Sequence, residues 1–341
     1  MRTSATLCVL LGFSTNLHAL QHETNSLFVR VIDVGAGLSC VLKLPDGKHI
    51  IYDAGDRNQA TNQIAGLVPL KSEIELLVLS HSDSDHIGAT PFICTNYRVK
   101  RIIHSGLMKP KSTNPLRPTD AWRAATNAIA RAVSNGCEEL NLATSALVPG
   151  TRFEYGPITA TFVFGLHKPL PEWGFSQITD ASEYYNSGSV VLRVVYRGQS
   201  ILFCGDTVGR GINDNNNVCI AAEREMVRNA AAIPIDSDIV IAPHHGADNG
   251  SSLDFLRAIT PQVVIFSAGA FHKHPRLRTI NRYRTAGVEP TDMYRTDLGD
   301  RLRSGEWGRG SKQAGGDKAG DDHVDILIRD NGSWQVAYWN N

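Results

Sequence analysis

The hexapeptide His81-Ser82-Asp83-Ser84-Asp85-His86 directly follows the segment Glu75-Leu76-Leu77-Val78-Leu79-Ser80. Four apolar residues bounded by polar ones predict a short buried strand, so the hexapeptide stands where a strand ends and a loop begins. Two imidazoles and two carboxylates within six residues are too crowded for a solvated turn, because only a bound cation makes such crowding favourable. We therefore predict a metal-binding loop at residues 81–86.

Other short segments carry carboxylates, imidazoles or the glycines of tight turns. In chain order they are Asp33-Val34-Gly35-Ala36-Gly37, Tyr52-Asp53-Ala54-Gly55, Cys204-Gly205-Asp206, Pro243-His244-His245-Gly246, His274-Pro275 and Tyr294-Arg295-Thr296-Asp297. The segments that hold Asp206 and the adjacent His244 and His245 each stand at the end of a strand-like run. We expect them to converge with the loop at 81–86 on a pair of cations.

The order of ligands in the hexapeptide resembles the His-x-His-x-Asp-His signature of the metallo-β-lactamase superfamily, with Asp83 in place of the second His. This variant is similar to the hydrolase domain of the competence DNA-uptake (ComEC-type) family and to secreted phosphorylcholine esterases. The other segments look like the competence-type blocks in the same order, and the resemblance covers residues 27–300. It implies an α/β fold, the four-layer αββα sandwich of two halves with metals at one edge between the sheets.

The resemblance also implies a ligand set for two divalent cations. His81 and Asp83 bind the first, Asp85 and His86 serve the second, Asp206 bridges them, His244 or His245 completes the second, and Asp53 supports the ligands by hydrogen bonding. These residue types suit Zn²⁺, and the carboxylate at Asp83 makes the first position harder, so Mn²⁺ is expected to compete there.

One ligand of the β-lactamase-like members is missing. They carry a Gly-His pair shortly before a Ser-Val-Val-Leu strand, whereas this chain has Tyr184-Tyr185-Asn186-Ser187 before residues 189–192. Competence-type members have Asn at about this point, so Asn186, water or His167 remains to fill the place. His274 matches a competence-type His that can contact a phosphate oxygen or protonate a leaving group. The catalytic candidates are therefore Asp85, Asn186 and His274.

A bound cation lowers the pKa of water towards ~7, so hydroxide is available without a separate strong base. The leading interpretation is a hydrolase in which a hydroxide bridging the two cations attacks a phosphodiester, of nucleic-acid or small-molecule type. Two alternatives stay open. One is a lactonase or β-lactamase-type hydrolase that attacks a carbonyl, and the other is a metal-binding module that has lost turnover and binds DNA or an envelope polymer. No obligate protein partner is evident.

The bulk composition does not favour a polyanion-binding protein, because 34 basic and 34 acidic residues give a formal net charge of zero. Arg2, the apolar run 5–13 and the segment Leu17-His18-Ala19 predict a signal peptide over residues 1–19 and a secreted or periplasmic location. No other stretch approaches eighteen apolar residues, so no transmembrane segment is expected in the mature chain. We predict one domain over 20–341, with a flexible loop at 299–322.

The remaining pattern alternates strands with helices, as a layered α/β fold requires. Residues 105–118 are rich in Pro, Lys and Ser and predict an exposed loop. The helix that follows begins at Thr119 or Asp120, and its predicted apolar stripe is Trp122, Ala125, Ile129 and Val133. Among the cysteines, a bridge between Cys94 and Cys137 is possible, and Cys40 and Cys204 are expected to be buried thiols.

Overall fold

The computed structural model describes residue 20 and residues 23–173, 181–212, 218–269, 272–298, 302–309 and 321–339. The predicted signal peptide at 1–19 therefore lies outside the described residues, as do residues 299–301 and 310–320 of the predicted flexible loop. Within the described part of the chain, no helix combines the length and the apolar character needed to cross a membrane.

The first half of the fold is built on a mixed sheet of nine strands. Its strands run β18-β17-β1-β2-β3-β4-β6-β9 across the sheet, with β5 also paired to β4. Their bounds are β1 Leu27–Val31, β2 Ser39–Lys43, β3 His49–Ala54, β4 Glu73–Leu79, β5 Arg98–Val99, β6 Arg101–His104, β9 Glu138–Asn141, β17 Val324–Ile328 and β18 Trp334–Tyr338. The helices of this half are α1 Arg57–Leu67, α2 Ser84–Ile87, α3 Thr90–Asn96 and α4 Asp120–Ser134.

The second half holds a sheet of seven strands in sequence order. They are β10 Arg152–Tyr155, β11 Ile158–Phe164, β12 Val191–Tyr196, β13 Gln199–Phe203, β14 Ile239–Ile241, β15 Val263–Phe266 and β16 Met293–Arg295. Helices α5 Ala181–Asn186, α6 Ala221–Asn229, α7 Leu253–Ile259 and α8 Leu277–Thr285 belong to this half. Each sheet is antiparallel on one side and parallel on the other, with β3, β4, β6 and β9 parallel in the first and β13 to β16 parallel in the second.

Three apolar clusters separate the layers of the fold. The alternating residues Leu27, Val29 and Val31 of β1 pack in a central cluster with Phe203 of the other sheet, so this cluster lies between the two sheets. A second cluster packs α1, α3 and α4 on the outer face of the first sheet, and a third packs α6, α7 and α8 on the second. The order helix, sheet, sheet, helix is the predicted αββα sandwich.

Several local predictions differ from the structure. Residues 110–118 are not a plain loop but a separate two-stranded hairpin, with β7 Pro110–Lys111 paired to β8 Asn114–Pro118. Thr119 caps α4, as one of the two predicted starts requires, but Val133 is 38% exposed, because the helix buries Ala128 and Ala132 instead. The short elements β9, β16 and α5 were missed, since their four, three and six residues are too few for a periodic signal.

The described part of the predicted flexible loop is packed. The Glu306 carboxylate is buried and accepts a hydrogen bond from the Arg295 guanidinium at 2.6 Å. Cys94 and Cys137 are free thiols, and Cys40 and Cys204 are buried as predicted. Residues 302–309 therefore belong to the packed body of the second half.

Polar groups as well as strand pairing connect β17 to β1 and to the residues that follow β1. Arg30 and Asp325 lie opposite each other and form two hydrogen bonds of 2.6 Å. His323 is fully buried, accepts a hydrogen bond at Nδ1 from the Asp33 amide at 3.0 Å, and stacks on Trp339 at a centroid separation of 5.2 Å. Nδ1 therefore carries no proton in the folded chain.

This arrangement predicts a loss of stability in acid that depends on His323. Burial, with a smaller contribution from Arg30, lowers the pKa of His323 from 6.5 to about 4. Between these values the unfolded chain binds the proton and the folded chain does not, so the stabilisation present above pH 6.5 is lost as the pH falls towards 4. This contribution is roughly 3 kcal/mol of unfolding free energy.

The measurement is urea unfolding at pH 6.5 and pH 4.5 of the wild type, His323→Asn and His167→Asn. Asn keeps an acceptor for the Asp33 amide, so His323→Asn should lose clearly less stability on acidification than the wild type. His167 is exposed, and its variant should match the wild type. An identical acid response in all three proteins would contradict the assignment.

Candidate metal centre

The predicted ligands stand where parallel strands of both sheets end. His81 follows β4, Asp206 follows β13, and His244 follows β14. Proteins with open α/β sheets bind small molecules and ions outside the carboxyl ends of the strands, because the connecting loops leave a crevice there. The sandwich brings the carboxyl ends of the two parallel regions together, and the side chains of both halves meet at this edge.

Two of the imidazoles at this edge are oriented by groups that can only accept a hydrogen bond. His86 donates from Nδ1 to the Asp53 carboxylate at 2.7 Å, and His245 donates from Nδ1 to the Ser267 carbonyl oxygen at 2.7 Å. Since neither acceptor has a proton to give, Nδ1 of each ring carries the hydrogen. The Nε2 atoms of both rings are thereby presented to the centre.

The other two imidazoles follow the same rule. Nδ1 of His81 lies 2.9 Å from the Ser80 hydroxyl, whose own hydrogen goes to Asp53 at 2.7 Å. Nδ1 of His244 donates to the side-chain amide oxygen Oδ1 of Asn249 at 2.9 Å. All four rings therefore expose Nε2 towards one place, as metal-binding histidines do.

The place on which they converge is the buried carboxylate of Asp206. Its Oδ1 lies 3.3 Å from Nε2 of His86 and 3.4 Å from Nε2 of His245. Its Oδ2 lies 3.7 Å from Nε2 of both His81 and His244. Each oxygen of one carboxylate thus faces its own pair of imidazoles. We call the Oδ2 side the first position and the Oδ1 side the second position.

These donors fit divalent cations. Among the residues that the structure describes, four of these donor atoms are buried and have no hydrogen-bond partner, namely His81 Nε2, Asp83 Oδ1, Asn186 Oδ1 and Asp206 Oδ1. Nε2 of His86 and of His245 lie only 3.2 Å apart although each ring already carries its hydrogen on Nδ1, so their lone pairs face each other unless a proton or a cation lies between. Donor atoms around one tetrahedral Zn²⁺ are roughly 3.3 to 3.6 Å apart, which matches the separations from Asp206.

The carboxylates of the hexapeptide lie beside these positions. Asp85 Oδ2 is 4.0 Å from Nε2 of His86 on the second side, and Asp83 Oδ2 is 3.9 Å from Nε2 of His81 on the first. Asp85 and His86 are part of the short helix α2, where the sequence predicted a loop. The helical turn directs Asp85 and His86 to the second position.

Asn186 lies at the first position, at the end of α5. Its amide nitrogen is 3.4 Å from Asp206 Oδ2 and 3.5 Å from Nε2 of His244. His244 therefore occupies the side where an imidazole was missing from the sequence pattern, and His245 lies with the second set. His167, the other residue considered for this place, is exposed and belongs to neither set.

His274 lies next to the centre but outside both sets. Its ring stacks on that of His245 at a centroid separation of 6.5 Å and lies 6.0 Å from that of His244. Its Nδ1 is buried and has no hydrogen-bond partner in the described part of the chain. Burial, followed by the fields of His244 and His245, lowers the pKa of His274 to about 2, so the ring is uncharged. A neutral imidazole offers one N–H donor and one lone pair here.

The charges of the centre depend on one another. Burial alone would raise the pKa of Asp206, but the imidazoles of His245, His86 and His244 outweigh it and hold the pKa well below its usual range. Burial opposes a charge on His86, but the carboxylates of Asp206 and Asp53 outweigh it and raise the pKa of His86 to about 10. A buried anion that gathers positive charge in this way is suited to cations.

The backbone is strained at three of these residues. Asp53, His244 and His245 all have positive φ, at 58°, 47° and 57°. Non-glycine residues occupy this region at a cost of roughly 1 to 2 kcal/mol each, and such conformations cluster at functional sites. The turn at 243–246 thereby directs two adjacent imidazoles to opposite oxygens of Asp206, which an extended backbone would not do.

Apart from Asp53, sequence reasoning missed the residues that orient the ligands. Ser80, Ser267 and Asn249 hold imidazole Nδ1 atoms, and Asn249 also donates to the Glu183 carboxylate at 3.0 Å. It also missed Lys109, which lies 2.5 Å from Asp83. The polar residues after β4 and β15 were a signal for Ser80 and Ser267, but nothing local indicates Asn249 or Lys109.

Comparison with known proteins agrees with this architecture. Residues 32–161 match the model of the metallo-beta-lactamase superfamily. The chain has the metallo-β-lactamase fold. Proteins of this fold typically bind divalent metals, and the candidate clusters His81, His86, Asp206 and Asp85, His86, His245 each bring their donor atoms within 4.8 Å of one another.

The chain also resembles competence proteins over most of its length. It is 27% identical over 297 residues to Competence protein ComA of Neisseria gonorrhoeae, which covers 85% of this chain and 34% of that protein. It is 24% identical over 228 residues to ComE operon protein 3 of Bacillus subtilis (strain 168), covering 65% and 24%. The chain thus spans about a third or less of the length of these relatives.

Solved structures that are similar to this chain include the metallo-beta-lactamase fold protein YhfI from Bacillus subtilis, at a TM-score of 0.45 and 11% identity, covering 83% of this chain and 98% of that one. CmlA, a diiron beta-hydroxylase from Streptomyces venezuelae, has a TM-score of 0.46 and 14% identity, covering 80% and 53%.

The hydrogen bond between Asp53 and His86 predicts an effect on metal affinity. Asn tolerates the positive φ at position 53, but if its amide N–H₂ faces His86 the ring must carry its hydrogen on Nε2, which then cannot bind metal. Asp53→Asn should weaken metal binding about 10- to 100-fold. Competition with a chromophoric chelator measures this, and the exposed Asp46→Asn should bind as the wild type does.

Separate positions for His244 and His245 predict separate losses. His244→Ala should remove the ion of the first position and His245→Ala the ion of the second, leaving about one tightly bound ion per chain in each variant. His274→Ala should keep two. Elemental analysis after dialysis gives the count, and two retained ions in either of the first two variants would contradict the assignment.

Proposed function

We propose that the protein is a metal-dependent hydrolase that cleaves phosphodiester bonds with two divalent cations, Zn²⁺ or Mn²⁺, at the first and second positions. Water is added across a P–O bond, which gives a phosphomonoester and an alcohol. The proposal includes action outside the cytoplasm, because residues 1–19 have the pattern of a signal peptide. It treats residues 20–341 as one hydrolase domain.

The observation that carries the proposal is the geometry around Asp206. A single carboxylate directs Oδ1 to one pair of Nε2 atoms and Oδ2 to another, at 3.3 to 3.7 Å. Two-metal hydrolases use such a bridging carboxylate to hold cations about 3.5 to 4 Å apart. A binding module for one structural ion would not need donors on both sides of one carboxylate.

The residues have distinct tasks in this proposal. His81, His244 and Asp206 Oδ2 would hold the first cation, with Asp83 and Asn186 beside it, and His86, His245, Asp85 and Asp206 Oδ1 would hold the second. Bound cations supply Lewis acidity, which makes water acidic near neutral pH and stabilises negative charge on phosphoryl oxygens.

Asp53, Ser80, Ser267 and Asn249 keep the imidazole tautomers that metal binding requires. His274 lies beside His244 and His245 and can direct an N–H to a substrate or leaving-group oxygen.

The choice of a phosphodiester over a carbonyl substrate is supported by likeness. The segment order resembles the hydrolase domain of the competence DNA-uptake family, and the chain matches two competence proteins over 85% and 65% of its length. The Gly-His ligand of the β-lactamase-like members is absent, and Asp83 replaces one of their imidazoles. Oxygen ligands suit harder cations such as Mn²⁺, which are frequent in phosphoryl transfer.

The test is hydrolysis of bis(p-nitrophenyl) phosphate and of single-stranded DNA by protein reconstituted with Mn²⁺ or Zn²⁺. Asp206→Asn keeps the size of the side chain but cannot bridge two cations, so kcat/KM should fall by at least about 1000-fold and the metal count should fall below two. Asp236→Asn, an exposed carboxylate of the same half, should behave as the wild type does.

Metal-dependent hydrolysis of nitrocefin or a homoserine lactone without diester turnover would favour the carbonyl hydrolase. Two bound ions without turnover of any of these substrates would count against an enzyme.

A further inference from the structure

We propose that Lys109 is a substrate-binding residue that selects a negatively charged phosphodiester at the metal centre. This inference rests on the proposed function, because it names the charge of the substrate that the same site accepts. It concerns a side chain that no resemblance assigns. Lys109 follows the hexapeptide by 23 positions in the sequence, and no local pattern marks it.

Lys109 lies at the junction of three elements of the site. Its Nζ is 2.5 Å from Asp83 Oδ2 in the metal loop and 3.2 Å from the Ser182 hydroxyl of α5, the helix that ends at Asn186. Its carbonyl oxygen accepts from the Thr119 amide at 3.1 Å, which closes the hairpin 110–118 at its base. The backbone of Lys109 is thereby fixed next to the first position.

The ammonium group has one donor to spare. A lysine carries three N–H bonds, and two of them are directed to Asp83 and Ser182. Nζ has no third partner among the residues that the structure describes. The Lys109 side chain is 27% exposed while that of Asp83 is 15% exposed, so the remaining N–H can be reached from solvent at the mouth of the centre.

The segment around Lys109 contains no carboxylate that its charge would have to neutralise. Between Asp85 and Asp120 the sequence contains no acidic residue, and residues 105–119 carry Lys109, Lys111 and Arg117. Lys111 pairs with Asp120 at 2.9 Å, away from the metal loop. The charged side chains of residues 105–119 are therefore all positive.

A cation in this place distinguishes substrates by charge. The non-bridging oxygen of a phosphodiester is an anion that the third N–H of Lys109 can bind directly, whereas a neutral triester or a lactone has no such charge. Hydrogen bonds between charged groups are about twice as strong as neutral ones. The structure assigns to Lys109 the recognition of that oxygen, while the ligand residues assigned above act on the reaction itself.

The test compares Lys109→Gln with Lys111→Gln, which removes the same charge two positions along the chain, at a side chain that pairs with Asp120. Calorimetry on metal-loaded protein measures the affinity for diphenyl phosphate, an anionic diester with a poor leaving group. Lys109→Gln should bind it about 10- to 100-fold more weakly, and Lys111→Gln should match the wild type. Equal affinity in all three proteins would overturn the proposal.

Turnover provides the second measurement. Bis(p-nitrophenyl) phosphate and its neutral methyl ester share a leaving group and differ in charge. Lys109→Gln should lower kcat/KM for the diester about 10- to 100-fold, mainly through KM, and change that for the triester less than about 3-fold.

Equal losses for both substrates, or fewer than two bound ions in Lys109→Gln, would show that Lys109 acts only by holding Asp83, which overturns the proposal. A wild type that binds diphenyl phosphate with Lys109 dependence yet hydrolyses no diester would refute the proposed function and leave the binding role standing.

Discussion

The charge of Asp206 is the constraint on which the centre depends. A carboxylate as deeply buried as this one, at 4% exposure, is stable only when positive charge or donors surround it. Four imidazoles are brought to it from both halves, and each is held in the tautomer that presents Nε2. Their orientation comes from acceptors in the layer behind them, so the arrangement extends from Asp206 through the rings to Asp53, Ser267 and Asn249.

The fold supplies the rigid background for this arrangement. Parallel strands of each sheet end at the same edge, and the apolar cluster between the sheets fixes their relative position. The positive φ angles of Asp53, His244 and His245 are tolerated there because packed strands on both sides determine the turns. Three of the positive-φ residues therefore lie at this edge, where they aim side chains towards Asp206.

The sequence was sufficient for the architecture, and it named most of the residues that the structure brings together around Asp206, because its signals are local. The apolar run before His81 predicts β4, and alternation between strands and helices predicts the layers. Which of His244 and His245 serves which position could not be read from the sequence, since it depends on two backbone angles. Asn249 and Lys109 were out of reach because their partners lie on other elements of the chain. Val133 was misplaced because alanines, which give a weak apolar signal, face the sheet instead.

Each oxygen of Asp206 faces one imidazole from the hexapeptide and one from the turn at 243–246. Neither half of the sandwich therefore owns a complete ion position. Consider a chimera that joins one half to the matching half of a relative. Even with both cores intact, it would have to preserve the distances between Asp206 and the imidazoles of the other half. The interface between the sheets must therefore satisfy the geometry of the ion positions as well as the packing of the core. A substitution that shifts one half has to be matched by a compensating substitution in the other.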